Sequence, residues 1–260
     1  MTDPEYNLLV VDWDFFFPNP SYGAAIDDRA LLYDWQHAET PFLVENIWSH
    51  RAEGFLRYDL PLPMCEGYEG FWNRFDFGDD PAPLLYGDSN VHSGLLRPSS
   101  FGWDAEVWTK VSLWDAHHDC GYSGTLEKWK AQGAMECGSW MLKHHELGSQ
   151  LEVIYPPWRT KIDGIETGPL IPVPRRIDDG TNPDTVYDAI YVCRSGAWVP
   201  SWCDEQFEEF LGAYSEFGRE IPGNEWTQPR PDPLPDARRS IELMKLTQTK
   251  IAELGLNDRR

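Results

Sequence analysis

The chain has 260 residues, with 43 Asp and Glu against 22 Lys and Arg, a formal charge of −21 at pH 7. A field of that sign repels phosphate backbones and anionic lipid headgroups, which excludes nucleic acid and membrane surfaces as expected partners. Hydrophobic residues make up 41%, enough for a sizeable core, and no apolar run is long enough for a membrane span. The first residues carry no basic lead-in of the secretory kind. Five cysteines (Cys65, Cys120, Cys137, Cys193 and Cys203) form no CxxC pair. An odd, scattered set fits free thiols in a reducing cytoplasm. Thirteen Trp and 21 Pro indicate many loops pinned by large rings.

In chain order, residues 8–11 (Leu-Leu-Val-Val) predict a strand covered on both faces, as in a parallel sheet. That strand delivers Asp12 and Asp14 at its C-terminal end, where ligand sites form in open α/β sheets. Residues 21–83 hold too many aromatics for solvated coil and read as short helices and ordered loops. Strands follow at 84–86, 110–114 and 150–155, the last closed by Pro156 and Pro157. Residues 124–145 read as helical, with Trp129 and Leu142 on the inner side, and 160–185 as a surface excursion. A final strand at 189–193 runs into Arg194, Ser195 and Gly196, and an amphipathic helix spans 201–217. Residues 219–236 are Pro-rich and extended, and a polar helix covers 236–254. Strands alternating with helices predict a three-layer α/β/α domain with a mainly parallel sheet over 1–218. Residues 219–260 are expected as an extension packed on it.

The segment Asp115-Ala-His117-His118-Asp119 carries the chemistry. In a strand, residues i and i+2 face the same way, so Asp115 and His117 would reach one ion together, and a turn would return Asp119 to it. Carboxylates with an imidazole suit Mn²⁺, Fe²⁺ or Zn²⁺. Asp12-x-Asp14 repeats the device at another strand end. As bland alternatives, a DxD caps a helix or solvates a loop, and His144 and His145 read as surface histidines.

Asp115–Asp119 resembles the DAHxD motif of the arginase/deacetylase superfamily, and Asp12-Trp-Asp14-Phe-Phe-Phe-Pro18 is similar to its DxDxxDP motif, with Phe17 where a third Asp would stand. Phe15, Phe16, Arg194 and Ser195 match an arginase-like branch with a DxDFF strand and a last strand ending in Arg-Ser. The resemblance implies two divalent ions, Mn²⁺ first, with Zn²⁺ or Fe²⁺ as alternatives. Asp12 and Asp115 would bridge them, with His92 and Asp119 completing one and His117 and Asp14 the other. In the family the DxD strand follows DAHxD; here it comes first, so that strand would be transposed to the N-terminus.

The resemblance further implies hydrolysis of a non-peptide C–N bond, amide or amidine, in a small molecule, by water activated at the metals. Arg194 and Ser195, with Ser139 and Trp140, would contact substrate, and Arg194 would favour an anionic group on it. His118 would be the proton donor to the leaving nitrogen. Two other classes compete. A haloacid-dehalogenase-type phosphatase would use Asp12 as nucleophile with Mg²⁺ and a late acidic motif at Asp178, Asp179 and Asp184. A non-catalytic binding protein would keep the fold and present aromatic rings at loops.

Overall fold

In the computed structural model, residues 5–19, 39–78, 81–215 and 226–254 are described. The expected loops within 21–38, the helix end at 216–217 and the extended segment 219–225 lie outside them. Six strands form one sheet: β1 (Asn7–Asp12), β2 (Leu84–Gly87), β3 (Lys110–Trp114), β4 (Gln150–Tyr155), β5 (Arg175–Ile177) and β6 (Ala189–Cys193). Their order is β2-β6-β1-β3-β4-β5, and every pairing is parallel. Parallel neighbours require crossovers, so all strands end on the same edge of the sheet. Val11 pairs with Trp114, Asp12 with Cys193, and Gly87 with Cys193. The chain therefore leaves the sheet at nearly one level at Asp12, Asp115, Asp88 and Arg194.

The alternation of β1 sorts its apolar residues onto two faces. Leu9 and Val11 join a cluster with Trp48 and Phe55 of α1 (Pro41–Arg57) and Phe207, Phe210 and Tyr214 of α4 (Asp204–Ser215). Leu8 and Val10 join the opposite cluster, with Met141 and Leu142 of α3 (Met141–Leu147). Leu126 and Trp129 of α2 (Leu126–Gln132) pack against that second cluster. Helices thus cover both faces of one parallel sheet, a three-layer α/β/α arrangement. The first cluster is dominated by rings: Trp72 stacks on Phe210 at 4.5 Å, and Phe16 meets Phe71 edge-on at 5.1 Å. Truncating one such buried ring to Ala costs ~3–5 kcal/mol, which is how loops with little secondary structure stay fixed.

Three elements differ from the sequence reading. The excursion at 160–185 contains β5, a short edge strand whose residues Arg175, Arg176 and Ile177 are only half-buried and give no apolar run. The helical stretch 124–145 is two helices, α2 and α3, because Gly133 ends the first in the left-handed region at φ +63. Residues 41–57, read as short pieces, form a single helix capped by Thr40, whose Oγ1 accepts from the Leu43 N–H at 3.3 Å.

The last helix, α5 (Leu234–Glu253), lies against α1, where Ser240 Oγ donates to Glu53 Oε2 at 2.8 Å. Ahead of it, Trp226 forms a parallel bridge with Gly87 at the β2 edge. Among the described residues no helix is long and apolar enough to cross a membrane.

Candidate metal centre

Neither acidic motif runs along a strand face, since only Asp12 belongs to a strand. β1 ends at Asp12, and the next residues make a 3-10 turn, Trp13–Phe16, capped by Asp12, whose Oδ1 accepts from the Asp14 N–H at 3.0 Å. The turn sends Asp12 and Asp14 to a cavity while Trp13, Phe15 and Phe16 enter the aromatic core. β3 ends at Trp114, so Asp115–Asp119 is a loop rather than strand. The expected i, i+2 geometry is replaced by a side-chain turn, in which the His117 N–H donates to Asp115 Oδ1 at 2.7 Å. The Ala116 N–H donates across to Asp14 Oδ1 at 3.2 Å, locking the two loops together.

Within this frame His117 Nδ1 is 2.9 Å from Asp14 Oδ2 and 3.4 Å from Asp115 Oδ1. Single ligand atoms of Asp14, Asp115 and His117 all lie within 4.8 Å of one another. Asp119 sits at φ +48, a left-handed conformation Asp tolerates better than most residues. Its Oδ2 accepts from Trp140 Nε1 at 2.7 Å. Asn90, three residues past β2, supplies the remaining contact. Its Nδ2 donates to Asp12 Oδ2 at 2.7 Å, Asp119 Oδ2 at 3.1 Å and Asp115 Oδ2 at 3.2 Å.

The electrostatics are unbalanced. Asp12, Asp14, Asp115 and Asp119 are at most 6% exposed. Burial, reinforced by the neighbouring carboxylates, pushes the Asp12 and Asp115 carboxyls well above their ordinary range. Burial also lifts Asp119 to about 7, against the opposing pull of His117. Such groups hold protons or require cations. The donor set, four carboxylates with one imidazole, fits a divalent transition ion or Mg²⁺ better than a soft ion. Asn90 fits it too. Its buried Oδ1 has no partner, and a half-turn of the amide would exchange NH₂ for that oxygen, turning a donor to carboxylates into a ligand for a cation.

The site opens into a cavity of about 890 Å³. Its walls add Glu39, Tyr122, Glu136, Cys137, Glu166 and Ser195 to the acidic cluster, and no Lys or Arg among the described residues lines it. Burial raises the Glu39 carboxyl to about 7, with a hydrogen bond from Ser89 opposing.

Asp12, Asp14, Asp115, His117 and Asp119 are thus brought together, and Ser195 joins them on the wall at φ +58. His92 is not part of the cluster: its ring stacks on Trp226 at 5.0 Å, and Asn90, two residues earlier, stands at the carboxylates. Arg194 turns away from the cavity and donates Nε to Asp88 Oδ1 at 2.7 Å, so the cation expected to select an anionic substrate is committed elsewhere. His118 is buried with both nitrogens engaged, Nδ1 accepting from the Cys120 N–H at 3.0 Å and Nε2 facing Thr167 O at 2.7 Å. That leaves it no free nitrogen for a substrate. Ser139 Oγ accepts from the Glu136 N–H at 3.1 Å and, with Trp140, lies outside the cavity lining. His144 is fully buried rather than on the surface. Asn90 was recognisable only by its place beyond a strand end, and Glu39 and Glu166 stand in loops without any motif.

No protein family, curated protein or solved structure matches this chain.

Proposed function

We propose that the protein is a metal-dependent hydrolase of a non-peptide C–N bond, an amide or amidine, in a small molecule. One observation carries the reading: four buried carboxylates from two strand ends converge beside His117 and the orphaned Asn90 oxygen, in the lining of a cavity with room for a ligand. Asp12, Asp14, Asp115, Asp119, His117 and Asn90 would hold one or two divalent ions, Mn²⁺ first among them. When bound, such ions activate water and stabilise negative charge that develops on the substrate. The chain's own residues do the rest. Trp140 Nε1 fixes the Asp119 carboxylate by its 2.7 Å hydrogen bond. Asp115 and Asp14 fix His117 from two sides. Glu39, a cavity carboxyl that keeps its proton to about pH 7, is placed to protonate a leaving nitrogen, the task expected of His118. The arginase/deacetylase fold remains part of the proposal, supported by the parallel three-layer sheet and the two motifs.

The phosphatase reading has less support. Both Asp178 oxygens accept from Arg74 at 2.7 Å, and Asp178 does not line the cavity. A purely binding role leaves the clustered carboxylates unexplained. The deciding experiment is metal content per chain, by mass spectrometry, on protein prepared without chelators or a His tag. One to two Mn, Fe or Zn per chain, lost in Asp115→Ala, is the expected result and justifies an amide and amidine screen. A wild-type chain with no transition metal, and phosphatase activity that needs Mg²⁺ and Asp12, overturns it.

A further inference from the structure

One wall of the cavity is built by residues 165–167, in the loop between β4 and β5. A buried arginine, Arg159, ties that loop to the acidic cluster. Arg159, with no exposed surface, donates Nε to Lys161 O at 2.9 Å and Nη2 to Ile162 O at 3.1 Å. Its Nη1 donates to Ala116 O, inside the Asp115–Asp119 loop, so the wall and the acidic cluster share one anchor. The guanidinium stacks 3.6 Å from the centroid of the Tyr155 ring. Two donors then converge on one oxygen of Glu166: Arg159 Nη2 at 2.7 Å and the Tyr155 hydroxyl at 3.0 Å both reach Oε1.

The second oxygen, Oε2, is buried and has no partner, although Glu166 lines the cavity and its side chain is only 8% exposed. An unpaired buried polar atom costs about 1–3 kcal/mol. A ligand that donates to it removes that cost, and the carboxylate is already held, so binding orders little. The surroundings define the ligand's chemistry. A carboxylate oxygen only accepts, and the described lining contains several acidic side chains with no Lys or Arg.

We infer that Glu166 is a recognition subsite for an ammonium, or a comparable N–H donor, carried by the ligand away from its reacting end. The inference deepens the hydrolase reading for where the reacting end sits, while the subsite itself needs no metal. It reverses the expectation that an anionic group is selected, because the residue behind that expectation, Arg194, is paired with Asp88 outside the cavity.

The test uses n-hexylammonium and hexanoate, equal in tail and opposite in charge, titrated by ligand-observed NMR. Both are added to Zn²⁺-supplemented and chelator-treated protein, as wild type, Glu166→Gln and Glu136→Gln. Expected are saturable hexylammonium binding, weaker by about tenfold in Glu166→Gln and unchanged in Glu136→Gln, and no hexanoate binding to the chelator-treated protein. If Glu166→Gln loses its cooperative melt, Glu166→Asp replaces it, keeping the charge near Arg159 but withdrawing the oxygen, with the same expected loss. Equal hexylammonium affinity in wild type and the Glu166 variants, or a preference for hexanoate in the chelator-treated protein, overturns the subsite. Metal content of the same samples is read separately. Chains without metal that bind hexylammonium through Glu166 keep the subsite and defeat the metal reading. Chains with metal and no Glu166 dependence do the reverse.

Discussion

Two acidic clusters stand side by side at the C-terminal edge of the sheet, and they are neutralised differently. In one, Asp88 and Asp204 face Arg194 and Arg230: Arg194 Nη2 is 2.6 Å from Asp88 Oδ1, and Arg230 pairs with Asp204. Each carboxylate has a guanidinium from the chain itself. In the other, Asp12, Asp14, Asp115 and Asp119 have an imidazole, an amide, an indole N–H and a phenol hydroxyl as side-chain partners, and no Lys or Arg among the described residues lines their cavity. Asp88 stands two residues before Asn90, and Arg194 one before Ser195, so the difference lies in partners rather than location. The paired cluster is finished when the chain folds. The unpaired one is complete only with protons or cations.

The largest expected effect comes from pH. Raised carboxyls stabilise the fold while both states are protonated, below about pH 4, and that stability is lost as pH rises through the folded values. For Asp119 and Glu39 the loss extends to about 7. Metal-free protein is therefore less stable at pH 8 than at pH 5, by up to about 1.4 kcal/mol per group per pH unit. Mn²⁺ raises the melting temperature more at pH 8 than at pH 5. Scanning calorimetry at both values, with Mn²⁺ and with chelator, would show equal gains if the carboxylates were not the ligands.

A smaller effect belongs to the paired cluster. Arg230→Met leaves Asp204 short of a partner and releases the carbonyls of Gly196 and Val199, costing about 2 kcal/mol in urea unfolding. The smallest effect has the opposite sign. Asp115→Asn in metal-free protein removes one of the repelling carboxylates, so stability rises by about 1 kcal/mol while metal affinity falls. A loss of stability in both variants would mean that the two clusters are neutralised in the same way.

The sequence made the five longer strands legible, because β1, β3, β4 and β6 carry apolar runs and β2 is marked by its Leu-Leu-Tyr start. β5 was not, since an edge strand that reads Arg-Arg-Ile has no buried face to advertise. The cap of α1 was visible in Thr40-Pro41, as were Trp48, Ala52 and Phe55 at helical spacing, yet the flanking aromatics obscured them. At the site, acidic residues after apolar runs were enough to mark Asp12, Asp14, Asp115, His117 and Asp119. The family resemblance pointed to His92, and only the path of the chain beyond Gly87 brings Asn90 to the carboxylates instead. The direction of Arg194 depends on Asp88, Asp204 and Gln228, partners that no local pattern reveals.

The position of β1 bears on how the chain is made. It is synthesised before its neighbours, yet it pairs with β3, about a hundred residues later, and with β6, later still. Contacts of such long separation form slowly and carry a large loop-closure cost. Until Cys193 and Ser195 emerge, one edge of β1 has no partner and Asp12 faces an unfinished wall. On the ribosome, the acidic loops therefore exist long before they can hold anything, and a chain halted before β6 would expose an apolar strand edge open to aggregation.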